Sequence, residues 1–252
     1  MIKHRIPMQQ YRQFEGLSKH ELDKFSIAPS YYEWSLSQEF KPSRSMEMGT
    51  LVHSLVLEDR VDYAVGPAVD RRTTAGKAEW ADFCANNIGK TIITKDEEST
   101  ILGCQEACRP FIKQFFYDKE NDVECSMFWE RDGVSCKGRP DIIGHFNGDY
   151  CIIDLKTTND ILSFDRSFWN FRYHIQAAWY RRGLEIITQK NVEFYFLVVD
   201  TNAPHLCQIV SPSARVLAGA DILIDRELEK FKHCQQHGFD GGLESVRSID
   251  IK

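Results

Sequence analysis

Residues 139–156 read RPDIIGHFNGDYCIIDLK and gather two carboxylates and an amine into one short stretch. Asp141 and Asp154 stand thirteen positions apart, and Lys156 follows two residues after the second. Between them lies Asn147-Gly148, a pair suited to a two-residue hairpin turn whose central residues take positive φ. With that turn Phe146 pairs with Asp149, and the register carries Asp141 opposite Asp154 and Arg139 opposite Lys156. Opposed side chains have Cβ atoms about 4.5–5.5 Å apart, and period-two alternation puts Asp154 and Lys156 on one face. Like charges so opposed repel each other, and a cation held between them is the simplest compensation. Ile142 and Ile143 on one strand, and Cys151, Ile152, Ile153 and Leu155 on the other, are apolar on both faces, the pattern of buried central strands. Charges ending such strands are expensive unless paired or bound to metal.

The elements that must carry this hairpin can be read on either side of it. Ser18 and Glu21 have capping-box spacing, with Leu22 and Phe25 behind them, so residues 17–34 read as helical, broken at Pro29 with a short second helix after it. Residues 36–46 are polar and loop-like. A helix follows from about Glu47 to Glu58, with Met48, Leu51, Val52, Leu55 and Val56 on its apolar side. Residues 60–75 read as extended chain and loop, 75–87 and 95–117 as helices, and 123–130, 134–145 and 149–156 as strands. One or two aromatic-rich helices span 165–188, a strand spans 191–199 with a partner at 205–211, and a long amphipathic helix spans 213–236. This order describes a mixed sheet flanked by helices, an α/β or α+β sandwich. No G-x-G-x-x-G follows a strand, and no P-loop is present. On this reading the 252 residues form one domain, with an N-terminal helical extension (1–46), a core (47–236) and a poorly ordered tail (237–252).

Composition narrows the function classes. A hydrophobic fraction of 42% and a charged fraction of 27% are those of an ordinary globular domain. No apolar run is long enough to span a membrane, and the opening residues lack a secretory signal's apolar core. The eight cysteines contain no CxxC. Cys104 and Cys108 share a helix face, but no second pair completes a zinc or iron–sulfur set, so free thiols in a reducing cytoplasm are expected. The net charge of −6 argues against a whole-surface nucleic-acid binder but allows a local basic groove beside a carboxylate site. Arg71, Arg72 and Lys77 form one candidate patch, and Arg166, Arg172, Arg181 and Arg182 a second.

Three further groups fit a metal site. His53 lies four residues after Gly49 on the same helix face, where glycine permits close approach of a ligand or backbone; Glu58 points away from it. Glu124 precedes the hairpin on a neighbouring strand. Gln176 and Tyr180 share a helix face at i and i+4, with Tyr173 on nearly the same side, and such a pair can hydrogen-bond phosphate oxygens or orient water.

The ordered set GxxxH (49–53), GRPD (138–141), DLKTT (154–158) and YHIQAAWY (173–180), with RRTTAGKAEW at 71–80, resembles the RecB-like branch of the PD-(D/E)xK nucleases. Within that branch the likeness is to the RecE-type nuclease domain of exodeoxyribonuclease VIII, found in prophages. It runs from GLSKHEL to VEFYFLVV; the C-terminal tail departs from it. The resemblance implies a restriction-endonuclease-like core. It implies Mg²⁺, with Mn²⁺ as substitute, held by His53, Asp141, Asp154 and the Leu155 carbonyl. Glu124 would bind a second ion or orient water, Lys156 would position or activate the attacking water, and Gln176 and Tyr180 would hold Lys156 and the DNA backbone. Arg71, Arg72, Lys77, Arg139 and Tyr173 would contact DNA. Implied too are 5′→3′ processive digestion of linear double-stranded DNA, a homo-oligomeric ring (trimer or tetramer) and a partner protein that anneals single strands, in a bacterial cytoplasm. Phosphodiester hydrolysis needs an in-line water, a Lewis acid and help for the leaving alkoxide, which these residue types can supply. Lys156 stays open between a general base of lowered pKa and a charged stabiliser. The rival readings are a structure-specific endonuclease, a Cas4-like exonuclease (which would want the missing iron–sulfur cysteines) and a decayed DNA-binding module.

Overall fold

The computed structural model describes residues 1–4, 6–115 and 122–243. In chain order the elements are β1 (Ile2–Lys3), α1 (Met8–Gln13), β2 (Leu17–Ser18), α2 (Lys19–Ile27), α3 (Pro29–Leu36), α4 (Arg44–Glu58), β3 (Tyr63–Val65), α5 (Thr74–Asn86), β4 (Thr91–Ile93) and α6 (Lys95–Phe115). Then come β5 (Asp122–Val123), β6 (Ser126–Arg131), β7 (Val134–Gly138), β8 (Ile142–Phe146), β9 (Asp149–Thr158), α7 (Phe164–Asn170), α8 (Tyr173–Thr188), β10 (Glu193–Asp200), β11 (Cys207–Val210) and α9 (Ala214–His237). The fold is mixed α/β, with sheets flanked by helices around a restriction-endonuclease-like core.

Strand β9 is apolar on both faces because both are covered. It sits at the centre of a five-stranded sheet ordered β11-β10-β9-β8-β5, parallel to β10 and antiparallel to β8. Ile152, with Phe194, Phe196 and Val198 of β10, faces the core built with α8 and α9. Cys151, Ile153 and Leu155, with Leu197 and Val199, face the core built with α4 and α6. Alternation therefore sends Asp154 and Lys156 toward α8 and leaves the Leu155 side chain under α4. A second sheet, ordered β1-β6-β7-β2, packs on α8 from the other side.

The two sheets share one two-stranded ribbon. Asp122 pairs with Ile143 and Val123 with Ile142 in the first sheet; Met127 pairs with Gly138 and Phe128 with Lys137 in the second. The register is the same in both, so no residue is inserted. The expected strands 123–130 and 134–145 instead bend together, at Glu124–Cys125 and Arg139–Asp141. Glu124 has φ 55°, and its N–H donates to the Asp141 carbonyl at 2.8 Å across the bend. Pro140, which lacks a donor N–H, sits in the opposite bend.

Other local expectations meet the structure as follows. Asn147 and Gly148 both take positive φ (52° and 92°), and Phe146 pairs with Asp149. The Ser18–Glu21 capping box is formed in both directions, at 3.3 and 2.7 Å. Residues 60–75 contain β3, which pairs in parallel with the unforeseen β4. The end of the 95–117 helix lies outside the described residues. Residues 1–46 carry α1, α2 and α3, and they also join the core: β1 and β2 edge the second sheet, and Leu22 and Phe25 are fully buried beside it. Part of the expected tail is fastened too. Phe239 packs against Phe25, Tyr32 and Phe231, and Ser30 N–H donates to the Gly241 carbonyl at 3.0 Å. Residues 244–252 lie outside the described residues.

Candidate active site

The bent ribbon, β9, α4 and α8 meet at one point. Helix α4 is capped by Ser43, whose hydroxyl accepts from the Met46 N–H at 3.4 Å. It lays His53 against the end of the hairpin. His53 Nδ1 lies 2.9 Å from the Gly49 carbonyl, and Nε2 lies 2.9 Å from the Leu155 carbonyl and 3.1 Å from Asp141 Oδ2. A Cβ at Gly49 would stand 3.4 Å from Thr157 Oγ1, an ordinary contact, so packing alone does not demand glycine there.

The hairpin register holds as far as Ile142–Ile153 and stops. Asp141 is therefore not in a ladder position opposite Asp154; it falls in the bend, and its carboxylate accepts the Leu155 N–H at 2.7 Å. Arg139 is carried away from Lys156 altogether. Its guanidinium donates to Glu124 at 2.6 Å and to the Ile6 carbonyl at 2.7 Å. Lys156 and Asp154 do share a face, and the ammonium donates to both Asp154 oxygens at 2.8 and 3.0 Å. From α8, Gln176 Nε2 donates to Asp154 Oδ1 at 2.5 Å. Gln176 thus holds Asp154, not Lys156. Tyr180 does not reach the lysine either: its hydroxyl meets the Arg139 backbone, and its ring lies on Gly138, where a Cβ would come within 2.9 Å. Tyr173 lies under Lys156 instead of facing open solvent, its ring centre 4.8 Å from the ammonium.

Electrostatics follow the geometry. Burial opposes charge on His53, but Asp141 beside it and the Gly49 carbonyl lift the imidazole to about 9. Burial likewise opposes the Asp141 carboxylate, and His53, Lys156 and the Leu155 N–H outweigh it, so Asp141 is lowered. Asp154 goes the other way. Burial and the neighbouring Asp141 raise it to about 6 against the pull of Lys156. Lys156 is raised despite burial, because Asp154, Tyr173 and Asp141 favour its charge. Glu124 is raised by burial and by Asp141, against Arg139.

The donor set suits a hard divalent cation. A proton on His53 Nε2 is shared by a carboxylate oxygen and a carbonyl oxygen; without it, one nitrogen and two oxygens aim lone pairs at the same spot. Nδ1–H donating to Gly49 fixes the tautomer that leaves Nε2 free, the usual support for a ligating histidine. Asp154 and Glu124 feel the charges of Asp141 and His53 but stand farther off, since neither completes with them a trio of ligand atoms within 4.8 Å. Oxygen ligands with a single imidazole match Mg²⁺ or Mn²⁺.

A cleft of about 580 Å³ opens onto this point, with Glu124, Arg139, Asp141, Gln176 and Tyr180 along one wall. Helices α2 and α1 also line it, with the basic Lys19, Lys24 and Arg12 beside His20 and Glu21, and Lys19 is paired with Asp23 at 2.7 Å. These basic residues had no sequence signal beyond lying on the polar faces of their helices. Arg71, Arg72 and Lys77 are not among the cleft residues: Arg71 stacks on Trp80 at 4.3 Å, and Arg72 binds Asp70 at 2.9 and 3.0 Å. In the second expected patch, Arg172 pairs with Asp23, and Arg181 and Arg182 pair with Glu185. All eight cysteines are free, five of them buried, and no described helix is long and apolar enough to cross a membrane.

The crystal structure of a candidate exonuclease from Eubacterium rectale aligns with 99% of this chain and 97% of its own, at 15% identity and a TM-score of 0.66, which makes the fold a shared one. The structure of SSO0001 aligns with 76% of this chain and 88% of its own, at 13% identity, but its TM-score of 0.30 carries no weight. No curated protein matches the sequence. The model of the family described as a PDDEXK-like domain of unknown function (DUF3799) matches residues 10–243. The chain belongs to that PDDEXK-like family.

Proposed function

We propose that this protein is a Mg²⁺-dependent exodeoxyribonuclease that digests linear double-stranded DNA from 5′ ends and leaves 3′ single-stranded overhangs for recombination by annealing. The observation that carries the reading is the meeting of His53 Nε2, Asp141 Oδ2 and the Leu155 carbonyl within 3.1 Å, beside an Asp154–Lys156 pair. His53, Asp141, Asp154 and the Leu155 carbonyl would hold the cation, with Glu124 available to a second. The cation supplies Lewis-acid neutralisation of the phosphate.

The chain's own residues do the rest. Lys156 stays an ammonium and faces the charge that builds on the phosphoryl oxygens. Gln176 restrains Asp154 by donating to it, so the carboxylate keeps one orientation as Lys156 turns toward substrate. Arg139 holds Glu124 at the bend. The basic α1–α2 wall binds the backbone of the duplex, giving an acidic protein a local anion-binding channel. A homo-oligomeric ring would extend that channel around the duplex, and a single-strand annealing protein would take the overhang.

The test is blunt linear duplex labelled at either the 5′ or the 3′ end, incubated with Mg²⁺ or with EDTA, with Asp154→Ala as control. Early release of 5′-labelled mononucleotides in Mg²⁺ alone supports the proposal. Nicking of closed circles would point to an endonuclease, and binding without cleavage to an inactive DNA-binding module; either result refutes it.

A further inference from the structure

A second group of ligand atoms lies outside this site. His4 Nδ1 is 3.3 Å from Asp122 Oδ1 and 3.2 Å from Cys125 Sγ. All three ligand atoms lie within 4.8 Å of one another, the one such trio among the described residues. The fold brings them together by register. Lys3 pairs with Ser126, so the next step along β1 places His4 opposite Cys125, while Asp122 stands at the far end of the same bend. His4 precedes residue 10, where the family match begins, so the family pattern does not account for it.

Hydrogen bonding satisfies the trio only if Nδ1–H donates to Asp122 and the thiol turns away to the Val123 carbonyl, a long contact at 4.0 Å. A protonated Nδ1 can donate to Asp122, but then it cannot accept from the thiol. An unprotonated Nδ1 can accept from the thiol, but then its lone pair faces the carboxylate. A cation resolves the conflict, because all three groups present lone pairs to it. The two spacings from His4, 3.3 and 3.2 Å, fit as well: zinc bonds of about 2.0–2.3 Å in a tetrahedron set neighbouring ligand atoms roughly 3.3–3.6 Å apart.

We infer that His4, Asp122 and Cys125 form a zinc site that fastens β1 to the bend between the two sheets. The mixed nitrogen, oxygen and sulfur set suits a borderline-soft cation, whereas the His53 site is hard and has no sulfur. Cys125 binds as thiolate, its proton passing to solvent, and water fills the fourth position. The ion braces the segment that carries Glu124, since Asp122 and Cys125 stand on either side of it. The assignment does not depend on the nuclease reading.

Cobalt(II) titration of the reduced full chain tests it. Thiolate-to-cobalt charge transfer absorbs in the near ultraviolet and reports only sulfur ligation, so metal at the His53 site is silent. One equivalent should develop the band, and Zn²⁺ should abolish it. Cys125→Ser should lack the band, and His4→Ala, at an exposed position that leaves the core intact, should bind roughly tenfold or more weakly. No band at excess cobalt, a band retained in Cys125→Ser, or unchanged affinity in His4→Ala would each overturn the site.

Discussion

Replacing Lys156 by methionine keeps most of the side chain's bulk over Tyr173 and removes only the charge, which isolates what the ammonium does for Asp154. In the native protein Asp154 titrates near 6 instead of 3.8. A carboxyl whose folded pKa is raised binds its proton more tightly folded than unfolded. Stability therefore falls as pH rises from the unfolded value to the folded one and is flat above it. Two pKa units correspond to about 3 kcal/mol, already lost at neutral pH and offset elsewhere in the fold. Without Lys156 the raised pKa climbs further, and the decline continues upward. At pH 5 Asp154 is mostly protonated in both proteins, so the charge-dependent penalty of the variant is near zero. At pH 8 a fully protonated Asp154 would cost about 6 kcal/mol relative to the unfolded chain, about 3 more than the native protein loses. Urea unfolding in EDTA at the two pH values reads this directly, and taking the difference removes any packing change. An extra loss of about 2–3 kcal/mol at pH 8 is expected, in line with the cost of breaking buried ion pairs. Equal losses at both pH values, or a larger one at pH 5, would refute the reasoning.

Elsewhere, Arg44 hydrogen bonds hold the Glu97 carboxyl down at about 2. A depressed folded pKa gives stability present above about 4.5 and lost as pH falls through 2, so Glu97→Gln should cost about 1–2 kcal/mol at pH 7 after solvent screening, roughly half of that or less at pH 3 and nothing below pH 2, read as urea midpoints. Gly138→Ala drives a methyl group into the Tyr180 ring at 2.9 Å; a stability loss of about 1–3 kcal/mol with a lower kcat is expected from unfolding curves and cleavage kinetics. Lys24→Ala and Arg12→Ala should each reduce the salt slope of DNA binding by about one unit, while Arg72→Ala, outside the cleft and paired with Asp70, should leave it unchanged. Fluorescence anisotropy over a salt series separates these outcomes.

What the sequence disclosed was local. Asn147-Gly148 set the hairpin register, the Ser18 capping box set the start of α2, and alternation put Asp154 and Lys156 together; each depends on neighbours within a few residues. The ribbon bend was hidden, because the positive φ of Glu124 and the separation of Arg139 from Lys156 depend on where two sheets must pack. Pro140 was the one local sign of it. Gln176 and Tyr180 were found from helical spacing, but the resemblance tied both to Lys156, whereas Gln176 holds Asp154 two residues before it and Tyr180 meets Arg139 and Gly138; spacing fixes a face and not its opposite number. The basic cleft residues were missed for the same reason: α1 and α2 look like solvated helices until the second sheet, through β1 and β2, sets them beside the cleft.

The contact between His53 and the Leu155 carbonyl closes a span of 102 residues, and the strand carrying that carbonyl is sandwiched by β10, forty residues further on. A chain still emerging from the ribosome has its histidine long before it has the carbonyl, and the carbonyl before the strand that braces it. The site proposed for this protein therefore comes together late in synthesis, and a truncated chain that stops short of β10 lacks the strand that supports it.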